Sequence, residues 1–359
     1  MKRFLPIAFI FTLFMITFVI TIKAQSSIAV VNPSGTTTLT ESFKTAVESA
    51  SNGDIIYLPT GTVNTEEVVI NKTIHFIGAG YCPDSTGGNL TNISGNFIIA
   101  DEGSSGSLTG VRILTQVKFG TTEVPVVKNY TFFRCCFRST ISEFFIGSRR
   151  NQPQVDCSDI YFKECIFDNN WTYVNNAKKI YFEKCVFLSN IFNINGEVTF
   201  TNCNFLFRNP GWALFNFVNN AIIKNCIISQ DSYILSECFT NTFNNNLFCG
   251  PTTLTNIPGQ TQSGNTFNHD TSKVYTGIYL DTWSSLYNSS SLGNKLHLKP
   301  EAKAIKGGDG TEVGIYGSSE PFKDGAAPPI PLINSAKVST RSNAKGKLDV
   351  EIKVKAQSK

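Results

Sequence analysis

The chain has 359 residues, 41% hydrophobic and 16% charged, with 31 lysines and arginines against 27 acids. That length allows one large domain with a continuous core, and the near balance of charge excludes the one-signed basic face of a nucleic-acid binder. Ten cysteines spread over so long a chain also exclude a small disulfide-stapled scaffold.

In chain order, Lys2 and Arg3 precede an apolar run over residues 4–22, and Lys23-Ala24-Gln25 offers a small-residue cleavage point. This is the pattern of a signal peptide over residues 1–24. A membrane anchor is the rival reading, because the run is near the minimum spanning length. Without residues 1–24, 28 bases face 27 acids, and residues 337–359 hold seven bases and two acids. The expected protein is secreted or in the cell envelope, a monomer that binds no nucleic acid and touches no membrane after cleavage.

Next, LTESFKTAVESASNGD places Phe43, Ala46, Val47 and Ala50 at helical spacing, with Thr40 as the N-cap and Asn52-Gly53 as the stop. DIIYLPTG, EEVVINKT and IHFIGAG follow as short β-rich runs punctuated by Gly, Pro or Asn. Helical periodicity does not return.

Beyond residue 128 a phrase repeats: YTFFRCCF, IYFKECIF, IYFEKCVF, VTFTNCNF, AIIKNCII and NTFNNNLF, with a period near 20 residues. Units of that size with short strands and no helix must stack on copies of themselves, which is a β-solenoid. Read as columns, Cys136, Cys165, Cys185, Cys203 and Cys226 line up, with Leu247 closing the column. Before them stand Glu164, Lys184, Asn202, Asn225 and Asn246, several of them residues that tolerate a left-handed backbone. Alternation with a two-residue bend puts Ile160, Phe162, Cys165 and Phe167 inside.

The cysteine column is therefore a structural ladder of small buried hydrophobes. Rungs lie about 4.8 Å apart with parallel side chains, whereas a disulfide wants Cβ atoms about 3.8 Å apart and facing. Zinc would need converging ligands, and the chain has no CxxC and only His75, His269 and His297. Neither metal nor cofactor is expected. Cys82, Cys135, Cys157, Cys238 and Cys249 fall outside the ladder, and a Cys238–Cys249 bridge is left open.

With the helix, the phrase Gly53-Asp54-Ile55-Ile56-Tyr57-Leu58-Pro59-Thr60-Gly61, VVINKTIHFIGAG and the rungs in place, residues 28–317 resemble the pectin-lyase-like superfamily. The resemblance implies a right-handed parallel β-helix of roughly nine to eleven rungs over residues 25–320, with a short N-terminal capping helix. It also makes LGNKLHLKPEAKAIKGGDGTEVGIYG a last-rung signature. The Asn-Thr-Asp, Asp-Asp, Gly-His-Gly and Arg-Ile-Lys motifs of polygalacturonase-like members are missing, and Arg208-Asn209-Pro210-Gly211-Trp212-Ala213 lacks the second arginine of the pectate-lyase motif. Asp309 in GGDGTEVG reads as a plain turn.

The expected binding surface lies between the rung phrases. With Val174, Ile194, Phe217 and Leu235 inward, Tyr173, Asn193, Asn216 and Ile234 line the outside, with Trp171, Arg208 and Trp212 on adjacent turns. Aromatic rings beside amides suit a sugar. Last come a Pro-rich extended segment, 321–336, and a basic tail, 337–359, in which Leu348, Val350, Ile352 and Val354 alternate with charges as a half-buried strand guarding an edge. Together these point to a non-catalytic protein presenting a rigid face to a polysaccharide or cell-surface component. A polysaccharide lyase or glycoside hydrolase with a non-standard site is the alternative; an acid beside Arg or Lys in one groove would favour it.

Overall fold

The computed structural model describes residues 27–100, 105–138, 143–147, 154–168, 171–175, 177–206, 212–229, 234–250, 254, 259–277, 296–326, 332–338, 342, 345–347 and 350–355. The expected signal segment and Arg208 lie outside the described residues.

Parallel strands stack through about nine turns of a β-solenoid. Each full turn visits three faces. Sheet 1, the 13-stranded sheet, carries Thr131–Phe133, Asp156–Lys163, Ala177–Glu183, Val198–Thr201 and Ala221–Lys224. Sheet 2, with ten strands, carries Cys136–Phe137, Ile166–Phe167, Val186–Phe187, Asn204–Leu206 and Ile227–Ser229. Sheet 3 is broken into a three-stranded part, ending at Gln116–Phe119, and a five-stranded part, beginning at Glu143–Gly147.

Inside, in-register pairing puts like on like. Phe132, Phe162, Phe182 and Phe200 stack with centroids 4.8–5.1 Å apart, and Phe137, Phe167, Phe187 and Phe205 stack at 4.7–5.0 Å. The two piles meet edge to face, as Phe162 does with Phe167 at 64°, the favoured aromatic arrangement.

On six successive rungs the bend between sheets 1 and 2 is a left-handed residue: Arg134, Glu164, Lys184, Asn202, Asn225 and Asn245 have φ between 51° and 55°. The next residue turns inward. That residue is Cys135, not Cys136, so the expected column corrects by one position in its first rung: Cys136 pairs in register with Ile166 on the outer side of sheet 2. In NTFNNNLF Asn246 occupies the ladder, and Leu247 continues the outer column through Ile227. The tandem cysteines of YTFFRCCF hid the phase.

Hydrogen bonding explains the choice of side chain. Turning the chain inward aims carbonyls at the core, where an unpaired one is costly. Each ladder thiol donates to the preceding rung, Cys165 to the Phe132 carbonyl at 3.4 Å and Cys185 to that of Phe162 at 3.2 Å. Asn246 continues the series, its amide donating to Ile223 at 2.9 Å while its oxygen accepts from the Cys226 N–H at 2.8 Å. Burial pushes the Cys135, Cys185 and Cys226 thiols well up, so they stay protonated donors. All ten cysteines are buried thiols outside any disulfide, Cys238 and Cys249 included.

At the N-terminal end the capping helix spans Phe43–Ser49, with Phe43, Ala46 and Val47 buried. Ser42 rather than Thr40 is its N-cap, accepting from the Thr45 N–H, because Thr40 ends a strand paired with Ile28. Lys72 closes the other end by donating to the carbonyls of Val47, Glu48 and Ala50 at 2.8–3.1 Å.

Residues 296–326 are no last rung. They form a strap over the outer face of sheet 2, where Leu298, Val313, Ile315 and Phe322 cover Ile166, Val186, Ile227 and Leu247. Asn202 donates to the Gly314 carbonyl at 3.2 Å, and the Gly308 N–H donates to the Asn225 side chain at 2.9 Å. The glycines are demanded by this approach: a Cβ on Gly317 would lie 2.2 Å from the Asn202 amide, and one on Gly314 2.3 Å from the Asn204 oxygen. Asp309 accepts from the Thr311 N–H and hydroxyl, a plain turn as expected.

The C-terminal strand, Val350–Lys355, pairs antiparallel with Leu332–Val338, which lies across the expected Pro-rich segment. Val350 and Ile352 are exposed rather than half-buried.

The hydrogen-bonded ladder revises the cost of altering it. On burial alone, Cys185→Ser would strand a hydroxyl at about 1–3 kcal/mol; here the hydroxyl inherits the Phe162 carbonyl. Chemical denaturation should therefore find Cys185→Ala, which leaves that carbonyl unpaired, less stable than wild type by about 1–3 kcal/mol and Cys185→Ser closer to wild type. Equal losses would refute the hydrogen-bonding role.

Candidate functional site

Trp171 and Tyr173 face outward from the strand Trp171–Asn175, while Thr172 and Val174 are buried. The Tyr173 ring lies between Phe145, 4.6 Å away, and Phe192, 5.3 Å away. Asn216 shares this column, through Phe192, and is only 8% exposed.

Asn193 does not join them. Its backbone is left-handed, as is that of Phe217, with φ of 57° and 54°, so the alternation resets at this bend. Val174, Ile194 and Leu235 point inward as expected, but Phe217 is 51% exposed and Ile234 is buried. The expected column of Tyr173, Asn193 and Asn216 is therefore Tyr173, Phe192 and Asn216. Trp212 is exposed ahead of the strand Phe215–Val218.

Where the two parts of sheet 3 meet, a groove of about 320 Å³ opens. Phe145 forms one wall, with Val117, Phe119 and Val155; Glu67, Gln116, Lys118 and Glu123 supply polar groups. These come from separate rungs: Glu67 precedes the strand Val68–Ile70, and Lys118 stands in register with Ile98. Glu66 and Glu67 are both left-handed, with φ of 47° and 58°. That conformation costs roughly 1–2 kcal/mol for a residue with a Cβ, and it delivers the Glu67 carboxylate to the groove.

Asn96 donates a hydrogen bond to Glu67, and Lys118 pairs with it at 3.5 Å. The Asn96 bond first and the lysine second hold the Glu67 carboxyl below the usual carboxylate range. An ionised carboxylate, an ammonium, an amide and an aromatic wall can together bind a polyhydroxylated chain. Sequence reading missed this groove because no motif joins residues 67, 116, 123 and 145. Only the alternation in QVKF, which sets Lys118 outward, was legible.

Among the described residues no group of three or more His, Cys, Asp or Glu is placed to hold a metal, and no helix is long and apolar enough to cross a membrane. No protein-family model, curated protein or solved structure matches the chain.

Because the folded value of Glu67 is lowered, its contribution to stability is present above the ordinary glutamate value, about 4.3, and fades as pH falls through the lowered value. Titration of Glu67 by NMR should show Asn96→Ala moving it up toward the ordinary value. An unmoved titration would mean that the amide does not set its charge.

Proposed function

We propose that this is an exported, monomeric protein of pectin-lyase-like type that binds an extended polysaccharide along sheet 3 without cleaving it. The observation that carries this reading is the continuity of the groove with the aromatic column. Phe145 belongs to both, so a chain held at Glu67, Gln116 and Lys118 runs on past Tyr173 and Trp171. Hydroxyls of a sugar meet donors and acceptors in the groove, and its apolar face meets rings beyond it.

The enzyme reading rests on Glu67 and Lys118 converging in one groove. Hydrolysis by paired carboxyls needs one of them kept protonated near neutral pH. The environment of Glu67 does the opposite. A lysine base for β-elimination would first have to leave its ion pair with Glu67.

Retention of the purified chain on a panel of neutral and uronate polysaccharides tests binding, and assays for reducing ends and unsaturated products on the same panel test catalysis. Trp171→Ala should weaken retention about 3- to 10-fold, the worth of one aromatic contact. Tyr173→Ala should lower both, since its ring is stacked on both sides. Product formation, or retention indifferent to Trp171, would overturn the reading.

A further inference from the structure

We propose that the C-terminal ribbon docks the protein on an anionic lipid bilayer. Its two strands, Leu332–Val338 and Val350–Lys355, pair with each other and, among the described residues, with no strand of the coil. Antiparallel register sorts their residues by face. Val338 stands opposite Val350, Ala336 opposite Ile352, and Ile333, past a register shift, opposite Val354. Between them Lys337 stands opposite Glu351, Ser335 opposite Lys353, and Leu332 opposite Lys355. Directly opposed residues share a face and successive ones alternate, so one face is apolar at all six positions and the other is mostly charged. Val350 and Ile352 are 56% and 53% exposed, so the coil does not cover the apolar face. A lone two-stranded ribbon is marginal in water and gains stability when such a face is covered.

Charge selects the cover. Residues 337–359 hold seven bases against two acids, which leaves 21 bases against 25 acids on residues 25–336. An anionic surface therefore attracts the tail and repels the rest of the chain. Lys353 pairs with Glu351 at 3.5 Å, but both are more than half exposed, where water screens such a pair. Lys345 and Lys347, between the two strands, are exposed as well. A soluble polyanion would meet the bases and leave the apolar face in water, and a second copy would bring the same excess of bases to a face-to-face pairing. An anionic bilayer offers headgroup charge and hydrocarbon in one plane, and each basic residue near it adds attraction that fades within a Debye length. Strands of 7 and 6 residues are short of the about 9–11 that cross a bilayer, so the ribbon lies on the surface with its apolar face inward. This departs from the expectation that the mature chain touches no membrane.

Cosedimentation of the exported form, residues 25–359, with vesicles tests the proposal; residues 1–24 are left out because their apolar run would itself enter lipid. Vesicles of two parts phosphatidylcholine to one part phosphatidylglycerol should bind the chain about 10-fold or more tightly than phosphatidylcholine alone. Raising the salt to 1 M, where the Debye length is about 3 Å, should remove that preference. Val350→Thr with Ile352→Thr, which keeps β-branched strand formers at exposed positions, should weaken binding about 3- to 30-fold through lost apolar contact. Lys345→Gln, Lys347→Gln and Lys353→Gln together should weaken it about 10- to 100-fold. In Ile352→Trp, brominated acyl chains should quench the added fluorescence; in Lys353→Trp, on the other face, they should not, a contrast that electrostatic adsorption alone would not give. Undiminished binding by the threonine variant, equal binding to both vesicles, or equal quenching at the two positions would each overturn the proposal. So would binding to neither vesicle, the result if a protein covers the ribbon, or dimerisation lost in the threonine variant, the result if a second copy does.

Discussion

The left-handed residue between sheets 1 and 2 is the constraint from which most of this structure follows. It recurs from Arg134 to Asn245 with φ almost constant, and it bends the chain within one residue instead of a loop. So tight a bend turns backbone carbonyls toward the core, and the following side chain has to answer them. Cysteine and asparagine do so by different chemistry: the thiol gives one weak donor in a small volume, the amide a donor and an acceptor. The ladder runs from thiols to Asn246 and Asn265, whose amides reach Ile223 and Phe243 at 2.9 and 2.8 Å.

The same bend decides what lies outside it. Its left-handed side chains point away from the core into the path of the strap, and Arg134 and Glu164 form a 2.8 Å ion pair, each about 5% exposed. Such a pair contributes little net stability by itself, because desolvation offsets attraction; its value is positional, with the Lys323 N–H approaching Glu164 at 3.4 Å. Further along the column the charges give way to Asn202 and Asn225, and the strap passes as glycine-rich backbone. Sheet 2 is thus apolar on both faces, which a parallel sheet requires to be covered. Asn204 sits among those outer apolar residues and accepts from the Ile315 N–H at 3.2 Å, fixing the strap's register.

Periodic features were legible in the sequence and singular ones were not. Stacked Phe162, Phe182 and Phe200, the capping helix and the unbridged thiol column followed from spacing, whereas the state of Cys238 and Cys249 did not. Errors gathered where the repeat is locally ambiguous: adjacent Cys135 and Cys136 differ in facing but not in identity, and left-handed Asn193 and Phe217 reset the alternation without a glycine to announce it. The strap and the terminal hairpin depend on segments far apart in sequence. GGDGTEVGIYG looked like a rung for the same reason that it makes a strap, its freedom to approach another backbone closely.

A coil of this kind also constrains where chemistry can occur. In-register stacking spreads similar residues along lines about 4.8 Å apart per rung, so side chains of different character rarely converge on one point. Phe145, Tyr173 and Phe192 form such a line, Phe145 and Phe192 buried and the Tyr173 ring part-exposed between them. Convergence is possible only where the repeat breaks. At the interruption of sheet 3, strands from different rungs and the turn carrying Glu123 meet, and there Glu67, Gln116 and Lys118 share one groove. A uniform column repeats one environment at every rung; the break adjoining it is where charged, amide and aromatic side chains meet at a single point.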